Sequence, residues 1–198
     1  MYRDSPLYRI ERHMDEKRTA TYDAFEEKLR TELIKLCTES GMMDRVLLRS
    51  DDIDEKWNEF ARSYMIDAVH EFNEYPEVTM AWAGYLGMAV ARHWDISWME
   101  YKHLRYEDYY GSRGYDDMDE HIIRDVLGYA LDSAEAIRIN GALGRCAALV
   151  LTLIRHEGFE SQSIEAYYVL IRCVKVMFQI GAAMELYRLG YKFELINS

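Results

Sequence analysis

The chain predicts an all-α fold of six or seven helices, and three observations carry that expectation. Apolar residues recur at spacings of three and four along most of its 198 residues. Only two prolines occur, each placed where a helix can open, so long uninterrupted helices are permitted. No stretch alternates apolar and polar residues over the length of a strand.

The elements follow in order. Ser5 and Pro6 form a helix opening, and Leu7, Ile10 and Met14 begin an apolar stripe. The stripe resumes at Tyr22, Phe25, Leu29, Leu33 and Leu36, and Gly41 ends it. After a short piece over 43–49, Ser50 caps a second helix. Asp51, Asp52 and Asp54 complement the positive end of its dipole. Its seam is Ile53, Trp57, Phe60, Tyr64, Ala68 and Phe72. Tyr75 is turned out of the helical region by Pro76, which opens a third helix. There Ala83, Gly87 and Ala91 make a smooth stripe on which another helix can approach closely. Asp95 or Ser97 starts a short helix to about Tyr106.

Segment 107–120 breaks the pattern with Gly111, Gly114 and six acids against one arginine. Helix resumes near residues 117–119, with a polar stripe of His121, Asp125, Gly128, Asp132 and Glu135. Asn140 and Gly141 either end or bend this helix. Residues 142–157 are apolar nearly all round, the mark of a buried helix, and Gly158 closes them. Ser161 or Ser163 caps the last helix, which runs to about Arg188. Glu165, Arg172, Lys175 and Gln179 share a narrow polar stripe, whereas Glu185 and Arg188 lie on another side. A kink or a change of packing partner near Gly181 accounts for that shift.

Charge is distributed unevenly. Residues 1–120 hold 16 Lys and Arg against 27 Asp and Glu, whereas residues 121–198 hold 8 of each. The whole net charge of −11 therefore belongs to the first part. Apolar content moves the other way, from 43% to 58%. The expectation is one domain over 1–198, an acidic helical shell (1–120) around apolar, charge-neutral core helices (121–198). Its last two helices form a hairpin at the centre or at a subunit interface. No linker-like segment divides the chain. The acidity disfavours phosphate backbones, so nucleic-acid binding is not expected.

Cys37, Cys146 and Cys173 are odd in number and lack metal-ligand or disulfide-framework spacing, which reads as buried free thiols. The charged start lacks a secretory apolar stretch, and no window reads as a membrane span of about 18 uncharged apolar residues. A cytoplasmic protein without a membrane partner is expected.

Three constellations could carry chemistry. Glu100-x-x-His103 and Asp67-x-x-His70 have the spacing of di-metal helical bundles. Measured from Trp57, however, Asp67 falls about 80° and His70 about 140° off the seam, toward solvent. Neither a metal nor a cofactor is therefore expected. The second is a tyrosine-rich segment with Tyr101, His103, Arg105, Tyr106, Tyr109, Tyr110 and Tyr115. It reads either as a recognition loop, since tyrosine offers large contact area with a polar tip, or as a plug at a bundle end. The third is the polar set Glu135, Arg145, Arg155, His156, Glu165 and Arg172 in the apolar region. It reads as register-fixing ion pairs or as an anion pocket.

No P-loop, dinucleotide, zinc-protease or nucleophile-elbow motif occurs. The functional expectation is a non-enzymatic acidic helical binding or assembly protein that self-associates, with a basic protein as a possible partner class. The alternative is an enzyme or small-ligand sensor whose pocket is lined by segment 100–115, or by Glu135 with Arg172.

Overall fold

The computed structural model describes residues 16–159 and 163–193. Six α-helices are found there: α1 Glu16–Glu39, α2 Asp51–Glu71, α3 Pro76–Tyr101, α4 Met118–His121, α5 Ala134–Glu157 and α6 Ile164–Arg188. Among the described residues there are no strands. Two short 3-10 turns lie between α3 and α4, and a π turn, Ile122–Val126, extends α4. The all-helical bundle is thus as the periodicity predicts. Ser5, Pro6, Leu7, Ile10, Met14 and Ser161 lie outside the described residues.

Two helices are buried on every side along their central stretches. Residues 82–91 of α3 and 176–186 of α6 hold no exposed position, and the two pack on each other more extensively than any other pair. Such all-round burial suits helices that are apolar all round. The crossing is close because glycines face backbone. A β-carbon on Gly87 would overlap the Phe178 carbonyl oxygen and stand 2.9 Å from the Ala182 nitrogen. One on Gly181 would overlap the Gly84 carbonyl. The small-residue stripe predicted on α3 is therefore a contact surface. Helix α6 runs through Gly181 as one helix. The C-terminal pair α5 and α6 follow each other through Gly158, whose positive φ of 69° ends α5. The buried apolar side chains of all the long helices form one continuous cluster.

Caps and breaks explain most boundaries. Ser133 and Ser163 accept hydrogen bonds from the Ala136 and Ala166 amides and start α5 and α6. Ser50 precedes α2 in an extended conformation but makes no side-chain cap bond. Ser97 has extended, non-helical angles inside α3. The predicted restart there is real, although the helix then ends at Tyr101 instead of near Tyr106.

Four expectations are corrected. The stripe from His121 to Glu135 does not lie on one helix, because Gly128 adopts φ 79° and breaks the chain between α4 and α5. Asn140 and Gly141 neither end nor bend α5, which passes through them. Residues 142–157 are not buried all round: Arg145, Thr152 and Arg155 are exposed. Glu185 is not on an exposed face. It is fully buried and takes a two-pronged ion pair from Arg188, Nε at 2.7 Å and Nη2 at 2.5 Å. One further point concerns α5, which is long and apolar enough by length and composition to cross a membrane, although only 39% of its most apolar window is buried. Its inner face packs on α1 and α3, and its outer face is left open.

Candidate functional site

The tyrosine segment folds inward. Tyr106 and Tyr109 are buried, with ring centroids 6.2 and 5.7 Å from Phe60 of α2. Tyr110 donates to Asp67 at 2.6 Å and Tyr115 to Glu71 at 2.9 Å, so two carboxylates of α2 anchor the loop. Gly111 and Gly114 close the turn between these anchors by exchanging backbone hydrogen bonds. Burial pushes the hydroxyls of Tyr106, Tyr109 and Tyr110 up. Tyr115 is raised to about 12, chiefly by its hydrogen bond to the Glu71 carboxylate. All four are held neutral, and Tyr110 and Tyr115 donate to carboxylates, a structural use of the phenol. Tyr101 stacks flat on His93 at 4.2 Å, and the Tyr109 hydroxyl lies 3.1 Å from His93 Nδ1.

Of the remaining predicted residues, His103 and Arg105 stand beside Tyr106, whereas Glu135 and Arg172 lie elsewhere. Glu100 and His103 are exposed. Arg105 is exposed as well and caps the first 3-10 turn, its amide donating to Asp108 at 2.7 Å. Arg172 bonds Glu26 at 2.8 Å and lies 2.8 Å from Asp23, joining α6 to α1. Glu135 stands 3.9 Å from Arg138 on its own helix. The structure therefore does not bring Glu135 and Arg172 together. Arg172 belongs to a chain of polar contacts that runs from Glu26 through Arg30 and the buried Gln179 to Asp54 and Arg49. Each buried polar atom of that chain meets a partner, which is the condition for keeping it in a core.

Two cavities accompany these side chains. His103, Arg105 and Tyr106, with Lys56 and Lys102, line a polar one of about 400 Å³. Within it the Lys56 amine is already held by Glu59 and the Lys102 carbonyl, each at 2.6 Å. Glu135 borders another of about 300 Å³ with Arg138 and Arg188. Among the described residues no group of three or more His, Cys, Asp or Glu is placed to hold a metal ion.

A larger cavity lies elsewhere. A groove of about 540 Å³ opens where the end of α2 meets the connection between α5 and α6. Val69, Phe72 and Asn73 form one wall with Pro76 of α3. Leu151, Ile154 and Arg155 of α5 form the second, and Ala166, Tyr167 and Leu170 of α6 the third. Phe159 closes one end, braced edge-on against Phe25 of α1 at 5.7 Å. The rim keeps apolar side chains in water: Val69 is 42% exposed and Tyr167 37%. Among the described lining residues the one charged group is the Arg155 guanidinium. Ser163, the capped start of α6, stands at the same groove and adds the positive end of a helix dipole.

Sequence reading overlooked this site, yet a signal for it exists. Val69, which lines the groove, lies about 120° from Trp57 around α2, off the apolar seam. Apolar residues on a solvated face mark surface that something else covers. No known protein family, curated protein or solved structure matches this chain.

Proposed function

We propose that this protein is a non-enzymatic helical binding protein that takes an apolar molecule bearing one anionic group into the groove between α2, α5 and α6. The observation that carries the reading is the groove itself, about 540 Å³ with aliphatic and aromatic walls and one guanidinium. Ligand sites are mostly apolar with a few placed polar groups, and this volume falls in their range of roughly 300–1,000 Å³. The polar cleft at His103 and Arg105 suits that description less well, since Lys56 is already satisfied there.

A fluorescent apolar sulfonate and a medium-chain fatty carboxylate test this. Saturable binding of the dye to the folded chain is expected, with the carboxylate displacing it. Ala166→Trp, which fills the groove, abolishes both while near-ultraviolet dichroism is retained. Arg155→Gln weakens the carboxylate about tenfold, roughly 1.4 kcal/mol, and leaves the matching alcohol unaffected. Unsaturable binding, or binding indifferent to Ala166→Trp, overturns the reading.

The proposal extends to self-association. It is supported by the outer face of α5, where Ile137, 62% exposed, continues into Gly141, Gly144, Ala148 and Thr152 on one stripe. A basic protein partner has less support, because Asp54, Asp67, Glu71 and Asp117 spend their charge on internal hydrogen bonds.

A further inference from the structure

Cysteine spacing in the sequence gives no pairing, but the fold makes one. Cys37 lies near the end of α1 and Cys146 in the middle of α5, 109 residues apart in the chain. Their sulfurs stand 3.4 Å from each other, both buried. We propose that Cys37 and Cys146 are a peroxide-responsive dithiol, which hydrogen peroxide converts into a disulfide joining α1 to α5.

Geometry makes the bond accessible. A disulfide is about 2.05 Å long, so the sulfurs need approach by only about 1.4 Å. The chemistry assigns the roles. The two thiols share one hydrogen bond that either can donate; with Cys146 donating and the Arg145 guanidinium nearby, Cys37 is held below its usual value against the opposing effect of burial. The same hydrogen bond, together with burial, pushes Cys146 up. Cys37, two residues from the end of α1, is the thiol that peroxide reaches and so the nucleophile, and Cys146, inside α5, is the resolving thiol. The Cys37 thiolate attacks one oxygen of the peroxide; the sulfur–oxygen bond forms, the oxygen–oxygen bond breaks and hydroxide leaves. The Cys146 sulfur then attacks the Cys37 sulfenic acid. The sulfur–sulfur bond forms, the sulfur–oxygen bond breaks, and the departing hydroxide carries away the Cys146 proton as water. Two electrons pass from the sulfur pair to one peroxide.

Access is through the end of α1. Cys37 is two residues from Glu39, the last helical residue, and Gly41 turns the chain with φ 65°. Helix ends open locally at low cost, and peroxide is scarcely larger than water. Cys173, buried in α6, serves as the internal control: burial pushes its thiol up, and no other cysteine is placed against it.

The test is peptide mapping of the folded full-length chain after dilute hydrogen peroxide, without reductant. The expected product has lost two hydrogens, yields a peptide linking Cys37 to Cys146, and keeps one alkylatable thiol, Cys173. Cys146→Ala is expected to stop at a Cys37 sulfenic acid that a dione reagent traps. Because that variant could unfold, Cys173→Ser is run beside it and forms the cross-link as the natural chain does. Three free thiols after a treatment that fully oxidises free cysteine overturn the proposal. A cross-link through Cys173, or one between chains, overturns it equally.

Discussion

His93 illustrates how one side chain in this bundle couples packing to solution conditions. It sits face to face with Tyr101 and within hydrogen-bonding distance of the Tyr109 hydroxyl. Burial first, then the positive fields of His121 and Arg92, lower it to about 4. In the unfolded chain the same imidazole titrates near 6.5. Between those values the unfolded state binds the extra proton, so stability falls as pH drops. The contribution is complete above about pH 6.5, is lost on descending to about pH 4, and amounts to something on the order of 2 kcal/mol. His93→Gln keeps a side chain that can bond Tyr109 and removes the titration. Urea midpoints at pH 7 and pH 5 check this: the variant should lose less stability across the interval than the natural chain. Equal losses would mean that His93 is not held neutral by the fold. None of this was legible in the sequence. A histidine next to an arginine carries no sign that two tyrosines, one of them 16 residues away, will enclose it.

At the scale of elements, local rules located most boundaries, and tertiary contacts decided the rest. Pro76, Gly41, Gly158 and Ser163 act where turn and cap chemistry puts them. The polar stripe from His121 to Glu135 misled because helical spacing can persist in sequence across a left-handed glycine that ends the helix. The tyrosine segment was legible as unusual, but its direction was not. Whether a phenol faces water or Asp67 depends on a helix 43 residues earlier. The α3–α6 crossing combines both cases: Gly87 was legible as a small-residue position, whereas its meeting with Phe178 is a long-range event. A mutational contrast tests that crossing. Gly87→Ala forces a β-carbon into backbone that cannot rotate away and should cost more than about 2 kcal/mol. Gly144→Ala, also inside a helix but with nothing within 4 Å of the added carbon, should gain about 0.5–1 kcal/mol from helix propensity. Opposite shifts of the two urea midpoints are expected. If Gly87→Ala were tolerated like Gly144→Ala, the helices would not be in backbone contact.

For the molecule as a whole, the division into an acidic part and an apolar part became a division between inner and outer helices. The enclosed stretches are residues 82–91 of α3 and 176–186 of α6, and α3 belongs to the acidic portion of the sequence while α6 belongs to the neutral one. Composition by halves therefore blurred the centre, because layers are assembled from distant segments. The groove was illegible for the same reason, each of its walls being an ordinary run of apolar residues. What composition did anticipate is surplus apolar surface, and α5 carries much of it. A helix apolar enough to span a bilayer, yet 39% buried over its most apolar window, leaves an uncovered face on one side of the bundle. Small residues along Gly141, Gly144 and Ala148 keep that face smooth, and Ile137 projects from it. Two copies could cover it mutually in a two-fold arrangement, in which each chain offers the same patch. Stable interfaces bury at least about 1,000 Å² in total, so one helix face with its flanks suffices only for a weak or moderate dimer. Sedimentation velocity at tens of micromolar should then give a mass above 23.4 kDa that declines on dilution. Ala148→Glu, which places a charge on the stripe, should return the chain to a monomer at every concentration without lowering its urea midpoint. A profile that is monomeric for the natural chain throughout would remove self-association and leave the groove as the one surface on which the proposed binding rests.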